Sequence, residues 1–152
     1  MTKLDLERLA DQLELRQLAA DYARGVDVPD GKRVADLFLP DGVLRIYHRG
    51  KPEPISERVG RESIAKAMAG LTRYETTMHV VANQYIDLDG DSATGETYCL
   101  AHHIREVEGK GPMDYVMAIR YLDQYSRGAE GWKIAVRELQ VEFTEDRPVT
   151  GP

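Results

Sequence analysis

Four long β-prone segments fill the second half of the chain, at residues 75–88, 92–107, 113–125 and 132–143. They are separated only by short polar turns, such as Asp89-Gly90-Asp91, and no helical pattern lies between any two of them. Strands joined by turns this short pair in antiparallel fashion, because parallel neighbours need a much longer crossover. The second half of the chain is therefore predicted to form an antiparallel sheet.

The N-terminal segment has helical patterning. Two apolar stripes with helical spacing follow each other, the second rotated relative to the first: Leu6, Leu9 and Leu13, then Leu15, Leu18, Tyr22 and Val26. Thr2 and Asp5 have the spacing of a capping pair at the start of this helix. The rotation between the stripes predicts that the helix breaks near Glu14.

Two shorter helices are predicted after the first, one at 32–39, ended by Pro40, and one at 61–71. A strand at 43–48 and a polar loop through Gly60 separate them. Helices that precede an antiparallel sheet are typical of the α+β class. We therefore predict an α+β fold.

Composition limits the kinds of protein this chain can be. Its 152 residues fit one domain, which we place at 1–146, with a loose tail at 147–152. A net charge of -6 and the lack of a Lys/Arg run argue against a nucleic-acid partner. The single cysteine, Cys99, excludes a disulfide framework and a cysteine-based zinc site. No apolar leader and no stretch of roughly 18 apolar residues occur, so we expect a cytoplasmic protein without a membrane partner.

Histidines are few, at positions 48, 79, 102 and 103, and each is a candidate for acid–base chemistry near neutral pH. His79 enters the first long strand, and Asp27 lies where the first helix ends. A carboxylate at a helix C-terminus feels the negative end of the helix dipole, which favours a proton or a cationic partner there. We predict that Asp27 and His79 form a hydrogen-bonded pair if the fold brings helix end and strand together.

Side chains alternate between the two faces of a strand, which limits how many candidates share one pocket. His102 and His103 must face opposite sides, so only one of them reaches the interior. With His103 inward, alternation groups these residues on three strands: Cys99 and Ala101; Met117, Ile119 and Tyr121; Arg137, Leu139, Val141 and Phe143. A mostly apolar lining with a few polar groups is the usual form of a small-molecule site.

Several short motifs carry a resemblance to a known family: LAADYARGVD at 18–27, LFLPDG at 37–42, Met78-His79, and GWKI at 131–134. With these motifs the chain resembles the SnoaL-like branch of the nuclear-transport-factor-2-like (NTF2-like) superfamily over roughly residues 6–143. It is most similar to the group of scytalone dehydratase, bile-acid dehydratase and hexachlorocyclohexane dehydrochlorinase. The resemblance implies a cone, in which a curved antiparallel sheet wraps around the N-terminal helices and encloses a pocket.

The resemblance also implies catalytic roles for particular residues. In that group an aspartate after the first long helix orients a strand histidine, and these places are occupied here by Asp27 and His79. The second histidine of scytalone dehydratase corresponds to His103, and the arginine of the dehydrochlorinase corresponds to Arg137. Tyr22 occupies the place of the dehydrochlorinase lysine, where bile-acid dehydratase has a tyrosine. Alternation and the resemblance together give these substrate-binding candidates: His48, Met68, Leu71, Cys99, Ala101, Met117, Ile119, Tyr121 and Leu139.

The chemistry expected from these residues is a cofactor-free elimination, with dehydration of an apolar oxygenated ring compound favoured. A ketosteroid-type isomerase or a polyketide cyclase could use the same residues, and a non-catalytic small-molecule-binding protein is the alternative of another class. A zinc site made by His48, His79 and His103 is a further alternative, but no HxH or HExxH spacing supports it. We therefore expect neither a metal nor another cofactor.

The expected partners are a small apolar molecule and further copies of the chain. Tyr98 and Leu100 fall on the outer face of the sheet when His103 is inward. An apolar outer face favours self-association, because exposed patches of this kind are usually covered. The dehydratase relatives imply a homotrimer, and a dimer is the alternative.

Overall fold

The computed structural model describes residues 2–150, in which helices are followed by a curved six-stranded sheet. The helices are α1 (Lys3–Asp27), α2 (Gly31–Asp36) and α3 (Arg61–Met68), and a 3₁₀ turn (Ala69–Arg73) follows α3. The strands are β1 (Phe38–His48), β2 (Ser56–Val59), β3 (Thr76–Asp89), β4 (Ser92–Val107), β5 (Gly111–Gly128) and β6 (Gly131–Pro148). The predicted α+β class is confirmed.

Helix α1 is continuous, so the predicted break near Glu14 is wrong. The capping pair is present, with the Thr2 hydroxyl accepting from the Asp5 amide and the Asp5 carboxylate accepting from the Thr2 amide. Only the second stripe, Leu15, Leu18, Tyr22 and Val26, packs in the core, whereas Leu6, Leu9 and Leu13 are exposed. The two stripes lie on different sides of one straight helix. No helix in the described range 2–150 is long and apolar enough to span a membrane.

The sheet has the strand order β2-β1-β6-β5-β4-β3. The hairpin strands β3 to β6 pair antiparallel, as predicted, but β1 pairs with β6 in parallel, so the sheet is mixed. Hairpin turns could not predict this parallel pair, because β1 pairs with β6, the last strand, which lies far from β1 in the sequence.

The region around β1 differs from its predicted boundaries. Helix α2 ends at Asp36, and β1 begins at Phe38. Pro40 and the Asp41-Gly42 turn lie inside β1, where the pairing with β6 shifts between Phe38 and Val43. An irregularity of this kind accommodates a proline that cannot donate a ladder hydrogen bond. The short strand β2 occupies part of the predicted loop, and α3 ends at Met68 because its last turn tightens into the 3₁₀ turn.

Strand β6 continues past Phe143 to Pro148, so residues 147 and 148 of the expected tail belong to the sheet, while residues 151 and 152 lie outside the described range. The pairing of β5 with β6 shifts between Ala118 and Ile119, which leaves Glu142 without a register partner. Phe143 consequently lies on the opposite face from Val141 and is exposed. The predicted grouping of Phe143 with Arg137 is therefore wrong, because this irregularity reverses the alternation.

The core lies between the concave face of the sheet and the helices. Its largest fully buried side chains include Trp132, Phe38 and Leu15. Trp132 fixes α1 against β6, because its ring nitrogen donates to Asp11 at 2.9 Å and its amide donates to Glu14 at 2.8 Å. The C-terminal end of α1 contacts β3 through hydrogen bonds of Asp27 with Thr77 and His79.

Candidate functional site

Asp27 and His79 are in direct contact. The Nδ1 atom of His79 lies 2.7 Å from Oδ1 of Asp27, and the His79 backbone amide donates to the other carboxylate oxygen at 3.0 Å. The Thr77 hydroxyl also donates to Oδ1, at 3.0 Å. The predicted contact is confirmed. These three contacts hold the Asp27 carboxylate in place beside the imidazole.

The surroundings of His79 set its protonation. The His79 side chain is buried, whereas that of Asp27 is 25% exposed. Burial lowers the pKa of the His79 imidazole below its ordinary value, and the hydrogen bond and charge of Asp27 oppose this shift only in part. His79 is therefore a neutral imidazole near neutral pH, and the proton on Nδ1 points at Asp27.

His103 faces the interior, as alternation predicted for one of the two adjacent histidines. It is 4% exposed, and its ring meets that of His79 edge-on, with 5.5 Å between centroids. Its Nδ1 lies 3.0 Å from the Tyr115 backbone carbonyl, which can only accept, so Nδ1 carries the proton. Burial lowers the pKa of His103 as well. Neutral His103 thus has an unprotonated Nε2.

His102 lies on the outer face, so the predicted strand register is confirmed. Its Nδ1 is 2.7 Å from Oδ2 of Asp114, and Arg147 reaches the same oxygen at 3.3 Å. The other oxygen of Asp114 accepts from the His103 backbone amide at 3.3 Å. Asp114 therefore ties the outer histidine to the backbone that positions the inner one.

Arg137 is fully buried and forms a bidentate ion pair with Asp123, at 2.8 Å for both hydrogen bonds. Its guanidinium carbon lies 4.2 Å from the ring centroid of Tyr22 and 4.5 Å from that of Tyr121. The Tyr125 hydroxyl donates to Asp123 at 2.6 Å. The charge of Arg137 is thus neutralised inside the core, and the cation supports two tyrosine rings.

A cavity of about 460 Å³ opens between α1, α3, the 3₁₀ turn and the inner faces of β1, β5 and β6. This volume lies in the range of small-molecule sites. Seven of the sequence candidates lie on its wall: Tyr22, His48, Met68, Leu71, Met117, Ile119 and Leu139. Burial raises the pKa of Tyr22 to about 12, so its hydroxyl keeps its proton at neutral pH.

The other candidates do not line this cavity. They are Asp27, His79, Cys99, Ala101, His103, Tyr121 and Arg137. Cys99, Ala101 and Tyr121 face inward as predicted but are packed in the core beneath the wall. Arg137 is held there by Asp123, so its predicted position at the pocket is wrong. Two wall residues, Tyr74 and Tyr115, pack around His103, with centroid distances of 4.8 and 6.0 Å.

His48 is exposed at the end of β1, whereas His79 and His103 lie together inside. Within residues 2–150, no three histidine, cysteine or acidic side chains are grouped so that they could hold a metal ion. The structure thus does not bring together the three histidines of the zinc alternative.

Three residues around the histidines were not among the sequence candidates: Tyr74, Asp114 and Tyr115. Asp123, which pairs with Arg137, was not among them either. Asp123 could have been found, because it follows Tyr121 by two positions and alternation places it inward, opposite Arg137. Tyr74 follows the 3₁₀ turn and has no periodic signal.

Comparison with solved structures places the fold. A proposed scytalone dehydratase from Novosphingobium aromaticivorans is 24% identical, with a TM-score of 0.77 over 94% of this chain and 91% of that chain. A hexachlorocyclohexane dehydrochlorinase from Novosphingobium barchaimii is 19% identical, with a TM-score of 0.79 over 97% and 99%. A protein of unknown function from Mycobacterium tuberculosis is 22% identical, with a TM-score of 0.77 over 93% and 77%. These likenesses show the NTF2-like cone.

Sequence comparison adds the family. No curated protein matches the chain. The model of the SnoaL-like domain matches residues 7–138, which is most of the sequence and includes most of α1 and all of β1 to β5. The chain belongs to the SnoaL-like domain family.

Proposed function

We propose that the protein is a cofactor-free lyase that removes water from an apolar oxygenated ring compound. The observation that carries the proposal is the contact between Asp27 and His79, together with the edge-on approach of His103. Two imidazoles beside a small-molecule cavity are the groups that a proton abstraction coupled to a proton donation requires. Fold alone does not choose among reactions, so the proposal depends on these side chains.

His79 is the proposed base. Its Nδ1 proton is held by Asp27, so the lone pair on Nε2 can take a proton from a carbon next to a carbonyl. The imidazolium that forms is stabilised by the Asp27 carboxylate, which the Thr77 hydroxyl and the His79 amide hold in place. One positioned base of this kind is typically worth about 10²–10⁴ in rate.

His103 is the proposed acid, which protonates the departing hydroxyl so that it leaves as water. Burial lowers the pKa of both histidines, and the charge of a protonated His79 lowers the pKa of His103 further, so the two rings are not both imidazolium near neutral pH. The reaction requires this proton on His103. The rate should consequently fall at low pH, where His79 is protonated, and at high pH, where His103 is not.

Tyr22 is the proposed donor to the substrate carbonyl. It lies on the cavity wall, and its raised pKa keeps the hydroxyl protonated. The Arg137–Asp123 ion pair supports the Tyr22 ring from below. Arg137 is therefore proposed to position Tyr22 and not to contact the substrate.

The names of the similar structures agree with an elimination. One is a proposed dehydratase and another a dehydrochlorinase, so the two names describe the removal of water or of hydrogen chloride. The SnoaL-like family and its NTF2-like fold fit a small-molecule partner.

A panel of cyclic hydroxy ketones tests the proposal, with loss of one water followed by mass spectrometry. Wild type should dehydrate members of the panel, and Asp27→Asn, His79→Ala and His103→Gln should each be slower by about 10²–10⁴ with little change in affinity. Asp21→Asn is the matched control, since Asp21 lies on the same helix and only accepts from Gln17. Equal rates in Asp27→Asn and wild type would contradict the proposal.

One observation favours a second candidate, a non-catalytic binding protein. The cavity wall does not include Asp27, His79 or His103, and the rings of Tyr74 and Tyr115 stand beside His103. A lyase therefore needs Tyr74 to move before substrate reaches the imidazoles, whereas a binder does not. A ligand that wild type binds and never converts would support the non-catalytic binding protein.

We also propose that the chain forms a homotrimer, with a dimer as the alternative. Four outward side chains lie in register across β3, β4, β5 and β6: Val80, Leu100, Ala118 and Phe143. Val80, Leu100 and Phe143 are 45%, 46% and 61% exposed, and Met78 next to them is 57% exposed. An apolar row that crosses four strands supports burial against another copy.

A further inference from the structure

The charges around the cavity have one sign, although the whole chain is acidic. Arg58 and Arg73 lie on the cavity wall, and no aspartate or glutamate does. The chain as a whole has a net charge of -6. A local excess of cations in an acidic protein is a feature of this cavity and not of the average surface.

Arg73 is held at the cavity by an aromatic neighbour. Its guanidinium carbon lies 4.8 Å from the ring centroid of Tyr74, and one of its nitrogens donates to the Tyr74 hydroxyl at 3.0 Å. Within residues 2–150 it forms no ion pair with a carboxylate. The stack orients the guanidinium and leaves further N–H donors for a ligand.

Arg58 likewise forms no ion pair with a carboxylate among the described residues. It donates to the backbone carbonyl of Glu57 at 2.8 Å, while the Glu57 carboxylate is taken by Arg45 at 2.6 Å. Other strand arginines of this chain, such as Arg105 and Arg120, are paired with acids. The two cavity arginines therefore differ from Arg105 and Arg120, because no carboxylate among the described residues neutralises them.

The rest of the wall is apolar. It includes Leu44, Ile46, Ala67, Met68, Met117 and Leu139. A ligand that fills this space needs an apolar body, and an anionic group on that body could pair with the exposed Arg58 and Arg73. A guanidinium binds a carboxylate with charge-assisted hydrogen bonds, which are stronger than those between neutral groups.

We propose that the natural ligand is an apolar ring compound with a carboxylate, which Arg58 and Arg73 bind at the cavity mouth. The inference takes its site from the proposed function, but it concerns recognition and not the reaction. It assigns Arg58 and Arg73 as specificity-determining residues. The carboxylate would anchor one end of the ring and leave the other end for Tyr22 and the histidines.

Calorimetric binding of two matched probes, naphthoate and neutral naphthamide, tests this inference at low ionic strength, where charge interactions are least screened. Wild type should bind naphthoate about tenfold or more tightly than naphthamide. Arg58→Gln and Arg73→Gln should each reduce this preference, and the double variant should abolish it while keeping its affinity for naphthamide. Arg8→Gln, which changes an exposed arginine of α1 away from the cavity, should keep the wild-type preference.

Equal affinities in wild type, tighter binding of naphthamide, or binding of neither probe at millimolar concentration would overturn the inference. A preference that survives in the double variant would overturn it too. The same titrations on Asp27→Asn separate this inference from the proposed function. The preference for naphthoate should persist there, because Asp27 does not line the cavity. If the protein prefers naphthoate but dehydrates no compound of the panel, this inference stands and the proposed lyase function is wrong.

Discussion

His79 and His103 meet edge-on inside the domain, with an interplanar angle of 83° and 5.5 Å between ring centroids. The Nδ1 atom of His79 is hydrogen-bonded to the Asp27 carboxylate, and that of His103 to the Tyr115 backbone carbonyl. Both tautomers are thereby fixed, and both Nε2 atoms are free to exchange a proton. This arrangement is the one that the proposed proton transfer requires.

The buried histidines should make stability depend on pH. Burial lowers both pKa values in the folded state below the ordinary 6.5, so the unfolded chain binds protons first as the pH falls. The free energy of unfolding should be highest above pH 6.5 and decrease from there toward the lowered pKa values. Urea unfolding across this window measures the slope. The His79→Gln/His103→Gln variant should show a smaller slope, and an unchanged slope would contradict the assignment.

Replacing Asp27 should change the titration of His79 in a definite direction. The hydrogen bond and charge of Asp27 raise the pKa of His79 against the effect of burial. Asp27→Asn should therefore lower the His79 pKa further, whereas Asp21→Asn should leave it unchanged. Imidazole chemical shifts measured by NMR as a function of pH give both values. An upward shift in Asp27→Asn would show that the carboxylate does not act on His79.

The Arg137–Asp123 pair should be costly to break from one side. Both side chains are fully buried, so Asp123→Leu would leave the guanidinium without its counter-charge. We expect a loss of about 3–5 kcal/mol in the free energy of unfolding. The double variant Asp123→Leu/Arg137→Met should lose much less, because no isolated charge remains. Chemical denaturation of the three proteins checks this, and equal losses in the single and double variants would argue against it.

The outer face of the sheet should control assembly. A glutamate at position 100 would lie in the centre of the apolar row, so Leu100→Glu should be monomeric, whereas we expect wild type to form the proposed trimer. Leu9→Glu is the control, because Leu9 is equally exposed but lies on α1. Sedimentation velocity at micromolar concentration distinguishes the species. Monomeric wild type would remove the assembly proposal.

The strands and the histidine faces could be predicted because both follow from local patterns. Short turns between β3, β4, β5 and β6 indicated their pairing, and period-two alternation placed His103 inside and His102 outside. The parallel pairing of β1 with β6 could not be predicted in this way, because it joins segments far apart in sequence. The irregularity at Glu142 also left no local signal, and it moved Phe143 to the outer face.

The candidate site was predictable only in part. The contact of Asp27 with His79 was expected because the family resemblance implies it. The burial of Arg137 was not expected, since alternation gives the direction of a side chain and not its depth. The inward position of Asp123 was not considered. Because this carboxylate lies opposite Arg137, the guanidinium forms an ion pair in the core and does not line the pocket. The packing of Tyr74 over His103 depends on a 3₁₀ turn that periodicity does not reveal.

The most direct test of the central claim is deuterium exchange into a cyclic ketone such as tetralone, followed by NMR in heavy water. If His79, activated by Asp27, takes a proton from the carbon beside a carbonyl, wild type should catalyse this exchange. Asp27→Asn and His79→Ala should be slower by about 10²–10⁴, with the ketone still bound. A ketone that binds and exchanges no faster than in buffer, or at equal rates in wild type and Asp27→Asn, would contradict the claim.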